Sequence, residues 1–115
     1  MKTLYRILFI VILTICFTIP ANARVIQAAS CSRSDVQAAI NSSQDGDTVL
    51  VPAGESTWNS EVSIRNKTIV LIGSGSGTGG TKIIYGGSNH SLLEIDAENK
   101  TGRTEVSGFW FFCTG

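Results

Sequence analysis

Short apolar segments separated by turn-forming residues dominate the chain after residue 47. The segments are rich in Val, Ile, Thr and aromatic residues, and glycine, proline or asparagine stands near most of their ends. About six short strands with turns between them are typical of an all-β protein. The predicted strands are residues 48–51, 62–64, 68–72, 81–85, 92–95 and 104–112.

Apolar positions in these strands recur at a spacing of 20–24 residues, which indicates stacked structural repeats. Two interleaved series have this spacing: Val49, Ile69 and Leu93, and Ile64, Ile84 and Val106. In a solenoid, each coil contributes one strand to each of several parallel sheets, and equivalent positions stack. Antiparallel hairpins are the alternative, but no two-residue Asn-Gly or Asp-Gly turn joins the strands. We therefore expect a solenoid of parallel strands.

A short helix is predicted before the first of these strands, over residues 35–43. Ser34 and Gln37 have the spacing of a capping box, with Ser34 as the N-cap. Val36, Ala39 and Ile40 follow at helical spacing and form one narrow apolar stripe. Such a helix needs a surface to cover, because it cannot bury this stripe alone.

The N-terminus has the pattern of a secretory signal peptide at residues 1–23. Lys2 and Arg6 precede an uncharged run over residues 7–19, and Ala21-Asn22-Ala23 offers a cleavage site. The run is shorter than the ~20 apolar residues of a membrane-spanning helix, so we expect no permanent membrane anchor. The sequence thus predicts a mature domain over residues 24–115 that is secreted, or periplasmic in a Gram-negative host.

Charge and cysteine content narrow the function classes. Nine Lys and Arg residues balance nine Asp and Glu residues, which argues against a nucleic-acid-binding protein. Cys31 and Cys113 are the two cysteines of the predicted mature chain. Export would permit a disulfide between them, but two cysteines are not a disulfide framework, so their pairing stays open.

Several stretches resemble the N-terminal part of right-handed parallel β-helix proteins of the pectate-lyase-like superfamily. The resemblance rests on the helix segment 34–40, the segment Asp45-Gly46-Asp47-Thr48-Val49-Leu50-Val51-Pro52-Ala53-Gly54, and the pair Thr57-Trp58. Val106-Ser107-Gly108-Phe109 is similar to a recurring strand of that family. The implied fold class is an all-β right-handed parallel β-helix with a short N-terminal capping helix.

The resemblance also implies a function. It indicates a secreted carbohydrate-active protein, the N-terminal part of a polysaccharide lyase or hydrolase. The implied partner is a polysaccharide, with acidic polysaccharides as one candidate class. The alternative is a non-catalytic extracellular protein that binds glycans or acts as an adhesin. We expect a fragment of a longer protein with no catalytic residue of its own. We also expect no cofactor in this chain, while Ca²⁺ is left open for a longer protein.

Acidic side chains alternate with apolar ones along the predicted strand 92–95. If the extended backbone continues to residue 98, Glu94, Asp96 and Glu98 share one outward face. Glu94 and Asp96 are the candidate metal ligands, but a Ca²⁺ ion needs six to eight oxygen ligands, more than one strand supplies. A solvated polar face is therefore the preferred interpretation, and no metal site is assigned.

An aromatic run over residues 109–112 must place about two rings on the outer face, because strand side chains alternate. Trp110 is the candidate for stacking on a sugar ring, although burial of these rings, under a loop or under the rest of a longer protein, is the preferred interpretation. Trp58 is expected to have a packing role. Lys82 and Glu105 are expected to be neighbours on adjacent strands.

A glycine-rich segment, residues 75–80, fits the pattern G-x-G-x-x-G but precedes a predicted strand. A nucleotide-binding loop needs a helix at this point, so we interpret the segment as a turn. His90, the single histidine, is expected in a loop. Asn41, Asn66, Asn89 and Asn99 begin glycosylation sequons, which matter only in a host that glycosylates.

Overall fold

The structure, a computed structural model, describes residues 23–88, 91–98 and 100–113. The predicted signal peptide lies outside the described residues except for Ala23. His90 and the sequon residues Asn89 and Asn99 lie outside them as well.

Nine short strands and one helix make up the described part of the chain. In chain order they are β1 (Val25–Gln27), α1 (Arg33–Ser42), β2 (Thr48–Leu50), β3 (Gly54–Trp58), β4 (Val62–Arg65), β5 (Val70–Ile72), β6 (Thr81–Tyr85), β7 (Leu93–Asp96), β8 (Glu105–Ser107) and β9 (Phe109–Cys113).

The strands pair in parallel and form three sheets. Sheet A has the order β1-β2-β5-β8, sheet B has the order β3-β6-β9, and sheet C contains β4 and β7. From β2 onward, consecutive strands of the chain enter different sheets, whereas β1 and β2 pair within sheet A. Every hydrogen-bonded neighbour is distant in sequence. The predicted parallel pairing is confirmed in all three sheets.

Apolar side chains at alternate strand positions meet in one core, to which the helix also contributes. In β4, for example, Val62 and Ile64 are fully buried while Arg65 is exposed. Burial of each such side chain contributes about 1.5–3 kcal/mol to the free energy of folding, and this burial stabilises the short strands. The buried residues are Ala28, Cys31, Val36, Ala39, Ile40, Val49, Val51, Trp58, Val62, Ile64, Ile69, Leu71 and Ile83.

The predicted helix is confirmed, but its start is two residues earlier than expected. Ser32, not Ser34, is the N-cap, and its hydroxyl oxygen accepts a hydrogen bond from the Asp35 backbone at 3.3 Å. Gln37 does not close a capping box. Its side chain instead bonds both backbone groups of Ser63 in β4, at 2.9 Å each. The helix contacts β1, β3 and β4.

The predicted fold class, an all-β right-handed parallel β-helix with a capping helix at 35–43, is wrong. The described residues form a small mixed domain of 11% helix and 40% strand with several parallel sheets, and no solenoid was found in them. The positions predicted to stack do not pair: Val49 pairs with Leu71 rather than Ile69, and Ile64 pairs with Ile95 rather than Ile84. Loops of unequal length shift the register, because loops accept insertions that the core does not.

Two strands, β1 and β3, were not predicted from the sequence, and the predicted strand 104–112 is divided into β8 and β9. β1 lies before the predicted helix, and β3 begins at Gly54, between the predicted strands 48–51 and 62–64. Gly108 interrupts the predicted strand 104–112, since its φ of 76° is a left-handed value that ends β8. These strands are specified by their neighbours in the sheets more than by local composition.

Both described cysteines are free. Cys31 is buried beside the start of α1, whereas Cys113 is exposed at the end of β9. The open question of their pairing is therefore answered in favour of separate thiols.

Candidate functional site

A row of three side chains crosses the outer face of sheet B. The parallel register aligns Glu55 of β3 with Lys82 of β6, and Lys82 with Trp110 of β9. Adjacent parallel strands lie about 4.8 Å apart, so the three side chains follow each other directly across the sheet. Sheet B thus places a carboxylate, an ammonium group and an indole side by side.

The alternation of strand residues explains why this row faces outward. In β6, Thr81 and Ile83 are fully buried and lie on either side of Lys82. Their burial forces Lys82 to the opposite face, because successive side chains of a strand point in opposite directions. Trp110 faces the same way as Lys82, because the two residues are paired in the parallel register. Trp110 is 41% exposed.

Lys82 joins the members of this row. Its Nζ lies 3.3 Å from Glu55 Oε2, 5.1 Å from the centroid of the Trp110 ring and 5.5 Å from that of Phe112. A surface ion pair contributes about 0–1 kcal/mol and an exposed cation–π contact about 0.5–1 kcal/mol. These contacts position the ammonium group more than they stabilise the fold.

A glycine-rich loop forms the opposite wall of a groove beside this row. The groove has a volume of about 450 Å³ and is lined by Ala53, Gly54, Glu55, Gly77, Thr78, Gly79, Gly80, Lys82 and Trp110. Gly80 lies so close to the Gly75 carbonyl that a Cβ atom would stand 2.1 Å from its oxygen. The volume falls within the range of about 300–1,000 Å³ found for ligand sites.

The interpretation of residues 75–80 as a turn is confirmed. The Gly80 amide donates to the Gly77 carbonyl at 2.9 Å, which closes the turn, and strand β6 follows at once. No helix starts there, so this loop lacks the helix N-terminus of a dinucleotide site. It supplies a small, closely packed wall to the groove.

The candidate metal ligands Glu94 and Asp96 lie in β7, on a different sheet from the groove. Glu94 forms an ion pair with Arg65 of β4 at 3.1 Å, and Asp96 Oδ1 accepts a bond from the Glu98 backbone at 3.3 Å. The neighbouring strand is β4 and not the segment 68–72 that was expected. Among the described residues, no group of three or more His, Cys, Asp or Glu side chains could hold a metal ion.

The aromatic run divides between the two faces of β9 as expected. Phe109 and Phe111 stack on each other with their ring centroids 5.2 Å apart. Trp110 and Phe112 alternate with these two residues along β9 and therefore lie on its opposite face. Phe112 is 45% exposed. Trp110 and Phe111 are exposed to a similar extent, 41% and 40%. The expected cover of the outward rings by a loop or by the rest of a longer protein stays a prediction.

Sequence reasoning missed Glu55 and misassigned Lys82. The expected partner of Lys82 was Glu105, but Glu105 pairs with Val70 in sheet A. The alternation in Thr81-Lys82-Ile83 does signal an outward lysine. Its acidic and aromatic neighbours could not be found in this way, because they depend on the register between strands.

Comparison of the chain with protein-family models, curated proteins and solved structures gave no match. Within the described ranges, no helix is long and apolar enough to cross a membrane. The resemblance to the pectate-lyase-like superfamily stays a hypothesis that rests on the residues quoted above.

Proposed function

We propose that this protein binds a polysaccharide in the groove between the glycine-rich loop and the row Glu55–Lys82–Trp110. The observation that carries the proposal is the exposed indole of Trp110 beside two hydrogen-bonding charged groups. Sugar rings combine apolar faces of C–H groups with hydroxyls at their edges. An aromatic ring flanked by donors and acceptors matches both features.

The groove supplies each type of contact that a sugar needs. Glu55, with a side chain 60% exposed, can accept hydrogen bonds from hydroxyls, and Lys82 can donate them. Thr78 adds a hydroxyl from the loop, which is exposed. Predicted export of the chain would bring this groove to the compartment where polysaccharides occur.

The proposal concerns binding, in line with the non-catalytic alternative that the sequence left open. The lyase or hydrolase implied by the family resemblance stays a prediction for a longer protein. Elimination needs a base next to a group that stabilises the developing charge, and hydrolysis needs two carboxylates about 5–9.5 Å apart. The groove lining contains one carboxylate, that of Glu55.

The two tryptophans offer a direct test by fluorescence. Trp110 is exposed, whereas Trp58 is 1% exposed and reports on the core. Titration of the purified chain with soluble pectins, xylan and β-glucan should change the emission of Trp110 with a saturable dependence on polymer concentration. The change should disappear in Trp110→Phe, whose remaining emission comes from Trp58.

Affinity electrophoresis gives an independent measurement. The wild-type chain should be retarded in a gel that contains the binding polymer, and Trp110→Ala should migrate as it does without polymer. The variant Val25→Ala is a matched control, because Val25 is an exposed apolar residue on β1 of sheet A. Retardation that persists in Trp110→Ala, or no retardation by any polymer, would contradict the proposal.

A further inference from the structure

The charges of the groove cancel within the groove itself. Glu55 and Lys82 are the two charged residues of its lining, and their Oε2 and Nζ atoms are 3.3 Å apart. The Lys82 ammonium group also lies against the rings of Trp110 and Phe112. Its charge is thus already matched by a carboxylate and by two aromatic faces.

An acidic sugar would gain little from such a site. A uronate carboxylate close enough to contact Lys82 would also lie near Glu55, whose repulsion offsets the attraction. The two interactions have similar magnitude, about 1 kcal/mol each at 4 Å in water. A uronate carboxylate would also give up part of its hydration without a net electrostatic gain, because Glu55 stays beside Lys82.

An uncharged sugar meets no such penalty. Its hydroxyls can donate to Glu55 and accept from Lys82 while these two groups stay paired, since each has further hydrogen-bonding capacity. The apolar face of the ring can lie on the indole of Trp110. We infer that the groove is selective for uncharged polysaccharides over acidic ones, an inference that rests on the proposed function.

Polygalacturonate and its fully methyl-esterified form provide a matched pair of ligands, because they share one backbone and differ in charge. In titrations of the Trp110 emission, the esterified polymer should bind more tightly, by about threefold to tenfold. Its affinity should stay constant between about 20 and about 500 mM NaCl, because no ion pair with the ligand is formed. Tighter binding of polygalacturonate would overturn the inference and leave the proposed function standing. No binding of any polymer would overturn the proposed function itself.

The variant Glu55→Gln separates the role of the carboxylate from the shape of the groove. It keeps the side-chain size and leaves Lys82 without its ion-pair partner. Affinity for polygalacturonate should rise about threefold to tenfold and become sensitive to salt, because a free ammonium group now faces the ligand. Affinity for the esterified polymer should change less.

Glu94→Gln is the control, since it removes a similar ion pair, Arg65–Glu94, on sheet C. It should leave the preference between the two polymers unchanged. Circular dichroism should show that both variants are folded like the wild type. An unchanged preference in Glu55→Gln would show that Glu55 does not set the selectivity and would overturn the inference.

Discussion

The indole Nε1 of Trp58 donates a hydrogen bond to the backbone carbonyl of Cys31 at 3.0 Å. Both residues are buried, and Cys31 lies directly before the N-cap of α1. The bond therefore ties the last residue of β3 to the segment that leads into the helix. It confirms the packing role that the sequence predicts for Trp58.

We expect Trp58→Phe to lower the free energy of unfolding by about 1–3 kcal/mol, because the buried Cys31 carbonyl loses its donor. Urea unfolding followed by circular dichroism measures this difference. Trp110→Phe is the control, and as an exposed substitution it should stay within about 0.5 kcal/mol of the wild type. Equal stabilities for the two variants would show that the buried hydrogen bond contributes nothing.

Gly108 is predicted to be intolerant of any side chain. Its φ is 76°, and a Cβ atom there would lie 2.4 Å from the carbonyl oxygen of Gly73. Gly108→Ala should therefore cost about 2 kcal/mol or more in thermal or chemical unfolding, from backbone strain and steric overlap. Gly77→Ala should be close to neutral, because a Cβ atom at Gly77 would meet nothing within 4 Å. A neutral Gly108→Ala would contradict the close approach of the Gly73 and Gly108 backbones.

Two carboxylates just before β2, those of Asp45 and Asp47, should make the free energy of unfolding decrease as the pH falls into the acid range. Hydrogen bonds from the backbone amides of Arg24 and Gln44, at 2.9 and 2.8 Å, lower the pKa of Asp47 from its ordinary 3.8. A hydrogen bond from the Lys100 side chain at 2.9 Å is the main cause of the lowered pKa of Asp45. Because both pKa values are lower in the folded state, the stabilisation is present above pH 3.8 and is lost as the pH falls through the folded-state values.

The substitution Asp47→Asn tests this linkage. The melting temperature of the variant should be lower than that of the wild type at about pH 7, and the difference should shrink as the pH falls towards about 2.5. Thermal melts at several pH values between about 2.5 and 7 measure both effects. A difference that stays constant over this range would show that ionisation of Asp47 does not stabilise the fold.

Export is predicted from the N-terminal residues alone. The secreted product should begin at Arg24 or within the next few residues, because Ala21-Asn22-Ala23 has the small residues of a cleavage site. N-terminal sequencing of the secreted protein checks this. Soluble protein with an intact Met1 would contradict the prediction.

The chain is also predicted to have no catalytic activity of its own on polygalacturonate. With millimolar Ca²⁺ present, neither absorbance from unsaturated products nor new reducing ends should appear. The physical reason is that the carboxylates Glu94 and Asp96 are engaged by Arg65 and by a backbone amide, on a different sheet from the groove. Turnover that disappears in Glu94→Ala or Asp96→Ala would overturn the prediction.

Local patterns were sufficient to locate most of the elements. The apolar stripe of Val36, Ala39 and Ile40 predicted the helix, and β-branched runs predicted six strand segments. The N-cap was missed because both Ser32 and Ser34 precede an acidic or amide residue at capping distance. The predicted stacking was wrong because Ile69 and Ile84 are apolar, as stacked positions should be, but the strand register does not pair them with Val49 and Ile64.

The sequence by itself determined where most of the strands form, that Lys82 faces away from the core, and that residues 75–80 form a turn. Each of these depends on residues that are neighbours in the chain, so the period of two and the glycine content are enough. Only the tertiary structure decided that Lys82 lies between Glu55 and Trp110. This arrangement gives the groove its carboxylate, ammonium group and indole side by side. Which strands become neighbours depends on loop lengths and on how distant side chains fill one core, and neither can be deduced from a local pattern.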